Sequence, residues 1–513
     1  MRFMPRSPVS LVVAALTLGL IAATARADAG ADTIAAALQR GGTIELAGRP
    51  IATGMLNRIY QARGYRPIWT AARRDQLIAA LAEAPSHGLD PDAFAAPNAD
   101  SAAAELLLTD CFLRYTLALG RGLVTMGDIG RNWGMPQPSL DPSAILDRAL
   151  NHGVAATLAA LAPQDADYTR LRQAYLRYRE YTRRAAWGPI AVKLPLRLGA
   201  SGADVIKLRH RLAAEGFVPP SDSPDYDAAL AVAVGRFQAA HGLPPDGAVG
   251  EATLAALNVT PEARLRTIRL NLERRRAMPR DTPATRIVVN VPDATLALDE
   301  AGQPRLTMRV IVGDPDHPTP ELQASMTSVV INPPWIVPIS IAANEILPLS
   351  HRDSGYLARN NFTFDGDQLI QRPGPKNALG RIKFEMPNRF TVYLHDTPAK
   401  ALLARARRAL SHGCIRLEHP RELARRVLSG DPQWTLTAID AAIAAGVTRR
   451  VTLPHPILVR VVYWTAYVDA DGTVEFRNDV YGRDRRLDEA LVAHDMAEQS
   501  RPILQPAGAA TSG

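Results

Sequence analysis

The 513-residue chain reads as a multidomain α+β protein, with a helical N-terminal part, a small three-helix unit and a mostly β domain towards the C-terminus. Three observations predict this. Alanine- and leucine-rich stretches with helical periodicity fill the first third, as in 102–124 and 168–184. Glycines then recur where helices should end between Leu194 and Asn258. After Pro283, short β-branched runs alternate with turn residues.

Each segment has its own justification. Arg2 and Arg6 precede an apolar run from Val9 to Ala23, and Ala25-Arg26-Ala27 offers small residues for cleavage. Residues 1–27 are therefore expected to be a signal peptide cut after Ala27, which implies export. The run is shorter than the roughly 20 apolar residues a membrane-spanning helix needs. Residues 28–190 are expected to form a helical scaffold domain, punctuated by Pro85, Pro91, Pro136 and Pro138, with no chemistry of their own. In 194–258, Val205, Leu208 and Leu212 define one helix, Leu230, Val234 and Phe237 a second, and Thr253, Leu254 and Leu257 a third. A basic amphipathic linking helix is expected over 261–280. Its Arg274-Arg275-Arg276 cluster reads as a solvated face.

From 284 to 490 the β-rich runs include Arg286–Val291, Leu306–Gly313, Ser328–Ile331, Phe390–Leu394 and Val459–Val468, with a hairpin turn at Asp469–Gly472. An irregular Gly- and Pro-bearing insertion occupies 340–385 and is either a lid or a loop lying over the sheet edge. The final stretch, 491–513, is Ala/Gly/Ser-rich and is expected to be disordered.

The formal net charge is +8, yet no run of five basic residues occurs. An anionic cell-envelope polymer fits this balance better than nucleic acid. Only two cysteines are present. Cys111 lies in the apolar run Leu106–Leu113, where a thiol behaves as a small core hydrophobe. Cys414 lies some three hundred residues away in Ser411-His412-Gly413-Cys414-Ile415-Arg416, so a disulfide between them is not expected.

The chemistry concentrates there. A thiolate, not a thiol, is the nucleophile, and at a pKa of about 8.5 a free cysteine is mostly protonated at neutral pH. His395 is the candidate base and Cys414 the candidate nucleophile of an acyl transfer. Gly413 lets the backbone approach an oxyanion closely, and the N–H of Cys414 is the candidate donor to it. Arg416 offers a planar fork to a substrate carboxylate, or else pairs with Glu418. His412 binds substrate, tunes Cys414 or supports the turn. Tyr393 shares a strand face with His395 and lines either pocket or core. Either the backbone carbonyl or the carboxylate of Asp396 could orient the imidazole. A zinc peptidase is disfavoured, because neither His-Glu-x-x-His nor Cys-x-x-Cys occurs.

Two resemblances sharpen this reading. The glycine pattern of 194–258, with Phe237-Gln238 and His241-Gly242-Leu243, resembles the peptidoglycan-binding domain of wall enzymes. His395 followed by Ser411-His412-Gly413-Cys414-Ile415-Arg416 closely resembles the L,D-transpeptidases, whose catalytic domain is a β-sandwich with a cysteine nucleophile. Asn332-Pro-Pro-Trp335, Asn344-Glu345-Ile346-Leu347-Pro348 and Gly374–Arg381 are similar to the large Gram-negative branch of that family. The resemblance implies that the 340–385 insertion is a lid, although the stretch between Asn360-Asn361 and Arg372-Pro373 is shorter than in better-known relatives. It places Asn332 and Trp335 near the site and gives Asp396 a backbone role beside His395. It further implies 3→3 cross-linking between peptidoglycan stem peptides, acylation by carbapenems, and no cofactor or metal. The expected partners are stem peptides, glycan and other cell-wall enzymes, for a protein acting as a monomer. Alternatives keep the thioester but send it to water, to an existing cross-link or to an envelope protein, or make the chain a non-catalytic wall-binding scaffold.

Overall fold

The computed structural model describes residues 30–46 and 48–498, so the expected signal peptide and most of the expected tail lie outside the described residues. The scaffold is organised by α1 (Ala102–Arg121), capped by the Ser101 hydroxyl, and α2 (Ala166–Arg183), capped by Asp165. Nearly every side of α1 is covered, so its continuous apolar run forms the centre of a core shared with Leu56, Ile59, Leu146 and Tyr168. Cys111 is fully buried there as a free thiol, and burial pushes it up to about 11.

The three-helix unit comprises α3 (Ala203–Ala214), α4 (Ala228–Ala240) and α5 (Glu251–Leu257) around Val205, Leu208, Leu230, Val234 and Phe237. Gln238 ties the unit's last turn together, donating to Ala248 O and the Thr253 hydroxyl and accepting from Gly247 N–H. Gly247 is required there. Its φ is +70°, and a Cβ would meet the Ala231 carbonyl at 2.8 Å.

The linking helix α6 (Pro261–Ala277) corrects the sequence reading. Arg274, Arg275 and Arg276 are buried rather than solvated. Arg274 reaches Asp484 at 2.5 Å, Arg275 lies 4.0 Å above the Trp464 ring, and Arg276 reaches Glu273 at 2.6 Å. The charges are tolerated because each finds a carboxylate or an aromatic face between the scaffold and the β domain. Alternation of charged and apolar residues concealed this, since here both faces of the helix are covered.

The β domain comprises β1 (Arg286–Asn290), β2 (Thr295–Glu300), β3 (Gln303–Gly313), β4 (Glu321–Ile331), β5 (Trp335–Ile336), β6 (Phe362–Asp365), β7 (Gln368–Gln371), β8 (Ile382–Glu385), β9 (Leu394–His395), β10 (Ala409–Ser411), β11 (Ile415–Leu417) and β12 (Arg449–Val462). Its main path runs β8-β9-β11-β3-β2-β1-β12-β4, and β4 pairs back with β8. The sheet is thus closed on itself. The long β12 makes this possible: its register with β4 shifts between Thr452 and Ile457, where Pro454 and Pro456 lack N–H donors. Inward residues such as Ile287, Val289, Leu296, Val310, Phe384 and Ile415 fill its interior.

Beyond β12 the chain leaves this core. Strands β13 (Ala466–Val468) and β14 (Val474–Phe476) form a hairpin whose Ala466, Val468, Val474 and Phe476 join the scaffold core. Helix α7 (Arg483–Glu498) packs Leu487 and Leu491 against Met126 and Trp133. It continues eight residues into the stretch assigned to a disordered tail, because Leu491 finds an apolar seat on the scaffold. No helix among the described residues is long and apolar enough to cross a membrane.

The insertion is not irregular. Three short helical segments (Ile339–Ile341, Leu347–Arg352 and Tyr356–Arg359) and a π-helical turn (Ala342–Ile346) precede the β6–β7 hairpin, which adds to β5. Val337, Ile346 and Leu369 give it a small core of its own.

Candidate active site

Strands β9 and β11 run parallel, with Leu394 opposite Ile415 and His395 opposite Arg416. Tyr393 O accepts from Ile415 N–H at 3.1 Å, which aligns Tyr393 with Cys414. Because side chains alternate along a strand, Tyr393 and His395 share one face with Cys414 and Arg416. All four line a cavity of about 400 Å³ roofed by the insertion, together with Trp335, Glu345, Tyr356, Lys376 and His412.

The turn before Cys414 is held from three sides. Gly413 has φ +100°, a conformation that favours glycine. Its carbonyl accepts from the Thr319 hydroxyl at 2.8 Å, and its N–H donates to the Ser411 hydroxyl at 3.2 Å. The Ser411 hydroxyl in turn donates to Cys414 O at 2.6 Å. The N–H of Cys414 makes no hydrogen bond among the described residues and remains a candidate donor to an oxyanion.

Cys414 is a free thiol, half-buried and therefore reachable from the cavity. Desolvation raises its pKa, while the N–H and hydroxyl of Tyr393, Lys383 and Arg416 pull it back. Lys383 stands 4.4 Å above the Tyr393 ring, opposite His395 in the β8–β9 register. The His395 imidazole is buried, and its Nδ1–H donates to the Asp396 carbonyl at 2.5 Å. That bond leaves Nε2 as the basic nitrogen. Desolvation and then Arg416 depress the ring to about 3, against the favourable carbonyls of Asp396 and Leu379. Burial thus favours the neutral form of both thiol and imidazole. No hydrogen bond joins them among the described residues; the thiol's close partner is Tyr393.

The remaining candidates separate cleanly. Asp396 uses its backbone carbonyl toward His395, whereas its carboxylate accepts from Arg381 N–H at 2.8 Å and pairs with Lys400 at 2.7 Å. Arg416 does not pair with Glu418, which is held by Arg309. Its Nε is buried without a hydrogen-bond partner at the cavity wall. His412 is exposed and pairs with Glu345 of the insertion at 2.7 Å, with the His317 ring 4.7 Å away. Trp335 lines the cavity, 6.4 Å from Phe362 between ring centroids.

Asn332 is a correction. It lies fully buried at φ +48°, its amide donating to the carbonyls of Ala442 and Ile443 at 3.0 and 3.1 Å. It fixes a left-handed turn that Asn tolerates, and it does not line the cavity. Sequence reasoning missed Lys383 and Glu345. Glu345 lay within a quoted motif, but its role depends on the insertion folding back over His412. Among the described residues no three His, Cys, Asp or Glu side chains converge as metal ligands would.

Residues 284–434 match the family model described as "L,D-transpeptidase catalytic domain", 55–174 the "Scaffold domain" and 201–257 the "Putative peptidoglycan binding domain". A Haemophilus influenzae protein named "Putative L,D-transpeptidase" is 30% identical over 233 residues, covering 42% of this chain and 47% of that protein. The chain therefore spans about half the length of this curated relative. Among solved structures, an L,D-transpeptidase from Xylanimonas cellulosilytica is 17% identical, covering 53% of this chain and 100% of that one, with a TM-score of 0.17. One from Mycobacterium smegmatis is 19% identical, covering 34% and 58%, with a TM-score of 0.20.

Proposed function

We propose that this chain, which carries an L,D-transpeptidase catalytic domain beside scaffold and peptidoglycan-binding domains, forms 3→3 cross-links by cysteine acyl transfer. The observation that carries the reading is the single strand face presenting Tyr393, His395, Cys414 and Arg416 to one roofed cavity.

The chemistry follows from these groups. Cys414 Sγ attacks the carbonyl of the third stem residue, diaminopimelate, and its proton passes to His395 Nε2 as the C–S bond forms. The oxyanion faces the N–H of Cys414; one such donor is worth roughly 3 kcal/mol. The C–N bond to the terminal D-alanine then breaks, and the imidazolium returns its proton to the departing amine. The amine of a second stem's diaminopimelate, deprotonated by the same ring, attacks the thioester and releases the thiol. Arg416 attracts the thiolate but repels the imidazolium, so its two influences on the proton transfer oppose each other. Lining the cavity, with Glu418 held by Arg309 instead, its guanidinium is placed for a different task, holding a substrate carboxylate. Carbapenems acylate the same sulfur in this reading. The enzyme acts as an exported, periplasmic monomer on the cell wall.

The test is mass spectrometry of wall fragments from cells expressing the wild type or Cys414→Ala. Thioester adducts and 3→3 dimers should disappear together, with fold and wall binding retained. Unchanged 3→3 dimers in the variant would defeat the assignment, and hydrolysed tripeptides without dimers would redirect the thioester to water.

A further inference from the structure

A second cleft, of about 660 Å³, lies outside the cavity holding Cys414. The loop Gly242–Pro245 of the three-helix unit forms one wall, and Val291–Ala294 and Ala404–Ala409 of the β domain form others. Its charge is one-sided. Arg405, Arg407, Arg408 and Arg477 line it against the single carboxylate of Asp293. That carboxylate is already taken by Arg477, which also holds Glu475 at 2.8 Å. Arg405 and Arg407 extend exposed guanidinium groups with no partner among the described residues. Arg408 donates to Asp293 O at 2.9 Å, yet its Nε is buried without a partner.

The cleft is also held in shape. Arg477 donates to Ala240 O at 3.3 Å, the His241 and Phe476 rings stack at 5.7 Å, and Arg264 lies 4.4 Å over Phe476. Gly242 at φ +66° allows the approach, since a Cβ would meet Arg477 Cδ at 3.0 Å. At Pro245 the cleft meets a shallow groove of the three-helix unit lined by Val232, Gly235 and Arg236. At Ala409 it adjoins β10, and the five residues onward to Cys414 span at most about 18 Å.

We propose that this cleft is a carboxylate-binding subsite for a second wall strand, steering its stem peptides from the three-helix unit to the thioester. The proposal rests on the transpeptidase reading and names a site for the polymeric acceptor, distinct from the roofed donor cavity. Fixed positive charge in a walled cleft raises local anion concentration and on-rate.

The test compares full-length wild type with the Arg405→Glu/Arg407→Glu double variant, using a soluble tetrapeptide donor and isolated peptidoglycan sacculi. Thioester formation from the soluble donor should stay within about twofold, because neither arginine lines the donor cavity, while sacculus retention and transfer onto sacculus strands fall roughly tenfold or more. Retention and transfer that remain at wild-type levels overturn the proposal. So does a fall in thioester formation as large as the fall in transfer, since the charge would then act at the donor site. Polyglutamate that displaces the wild type from sacculi at matched charge reduces the cleft to general anion binding and also overturns it. A wild type that forms no thioester instead defeats the transpeptidase reading.

Discussion

Replacing Tyr393 with Phe removes the hydroxyl that faces Cys414 while keeping the ring beneath Lys383. A hydrogen bond to a charged acceptor contributes about 1.5–3 kcal/mol, and 1.36 kcal/mol corresponds to one pKa unit. The hydroxyl favours the thiolate, so its loss should raise the Cys414 pKa further. Each unit lowers the thiolate fraction about tenfold below the pKa, but a more basic thiolate is a better nucleophile with a Brønsted slope near 0.45. The net loss in rate at neutral pH is therefore about three- to fourfold per unit. The assay is the pH profile of iodoacetamide alkylation, with the adduct mapped to Cys414; sealed Cys111 should remain unmodified. An inflection that stays in place or moves down would refute the reasoning and leave Tyr393 as a packing residue.

Other outcomes follow from the same contacts. Glu273→Ala strands the buried Arg276 guanidinium and removes the acceptor of Leu123 N–H, so it should cost about 3–5 kcal/mol in denaturant unfolding. Asn332→Ala should lower the melting temperature through lost turn contacts while leaving the KM of the folded enzyme unchanged; a raised KM would return Asn332 to the site. Burial holds His395 at about 3 and His87 at about 2, below an unfolded value of about 6.5. The unfolded chain takes up these protons first, so the stability from keeping both rings neutral is complete above about pH 6.5. It then drains on acidification at about 1.4 kcal/mol per pH unit for each ring until its folded pKa is reached. A melting temperature that is flat from pH 7 to about 4 would contradict this linkage.

The fold classes were legible because their signals are local. Glycines at helix ends marked the three-helix unit, and period-two apolar residues such as Ile287 and Val289 marked strands. The Cys414–His395 pairing was legible through motif spacing, and β9 and β11 do bring both to one cavity. What escaped depends on long-range neighbours. Arg274–Arg276 read as solvated because Asp484 and Trp464 lie some two hundred residues away. Asn332 shared a motif with Trp335, yet a left-handed φ turns its amide onto the carbonyls of Ala442 and Ile443. The insertion looked irregular because its three- to six-residue elements are too short to show periodicity, and only their packing on Ile346 and Leu369 orders them.

The deep seat of Cys111 has a consequence for how the protein matures. Under the export proposed above, two thiols on one chain invite a wrong cross-link or a mixed disulfide. Here the folded scaffold itself is the safeguard: once the helix around Leu107–Leu113 is enclosed, one sulfur is withdrawn from exchange and the other stays open to reagents. The interval of redox vulnerability therefore ends when the N-terminal helices close. A scaffold variant that closes slowly would accumulate oxidised, inactive enzyme without any change near the reactive sulfur.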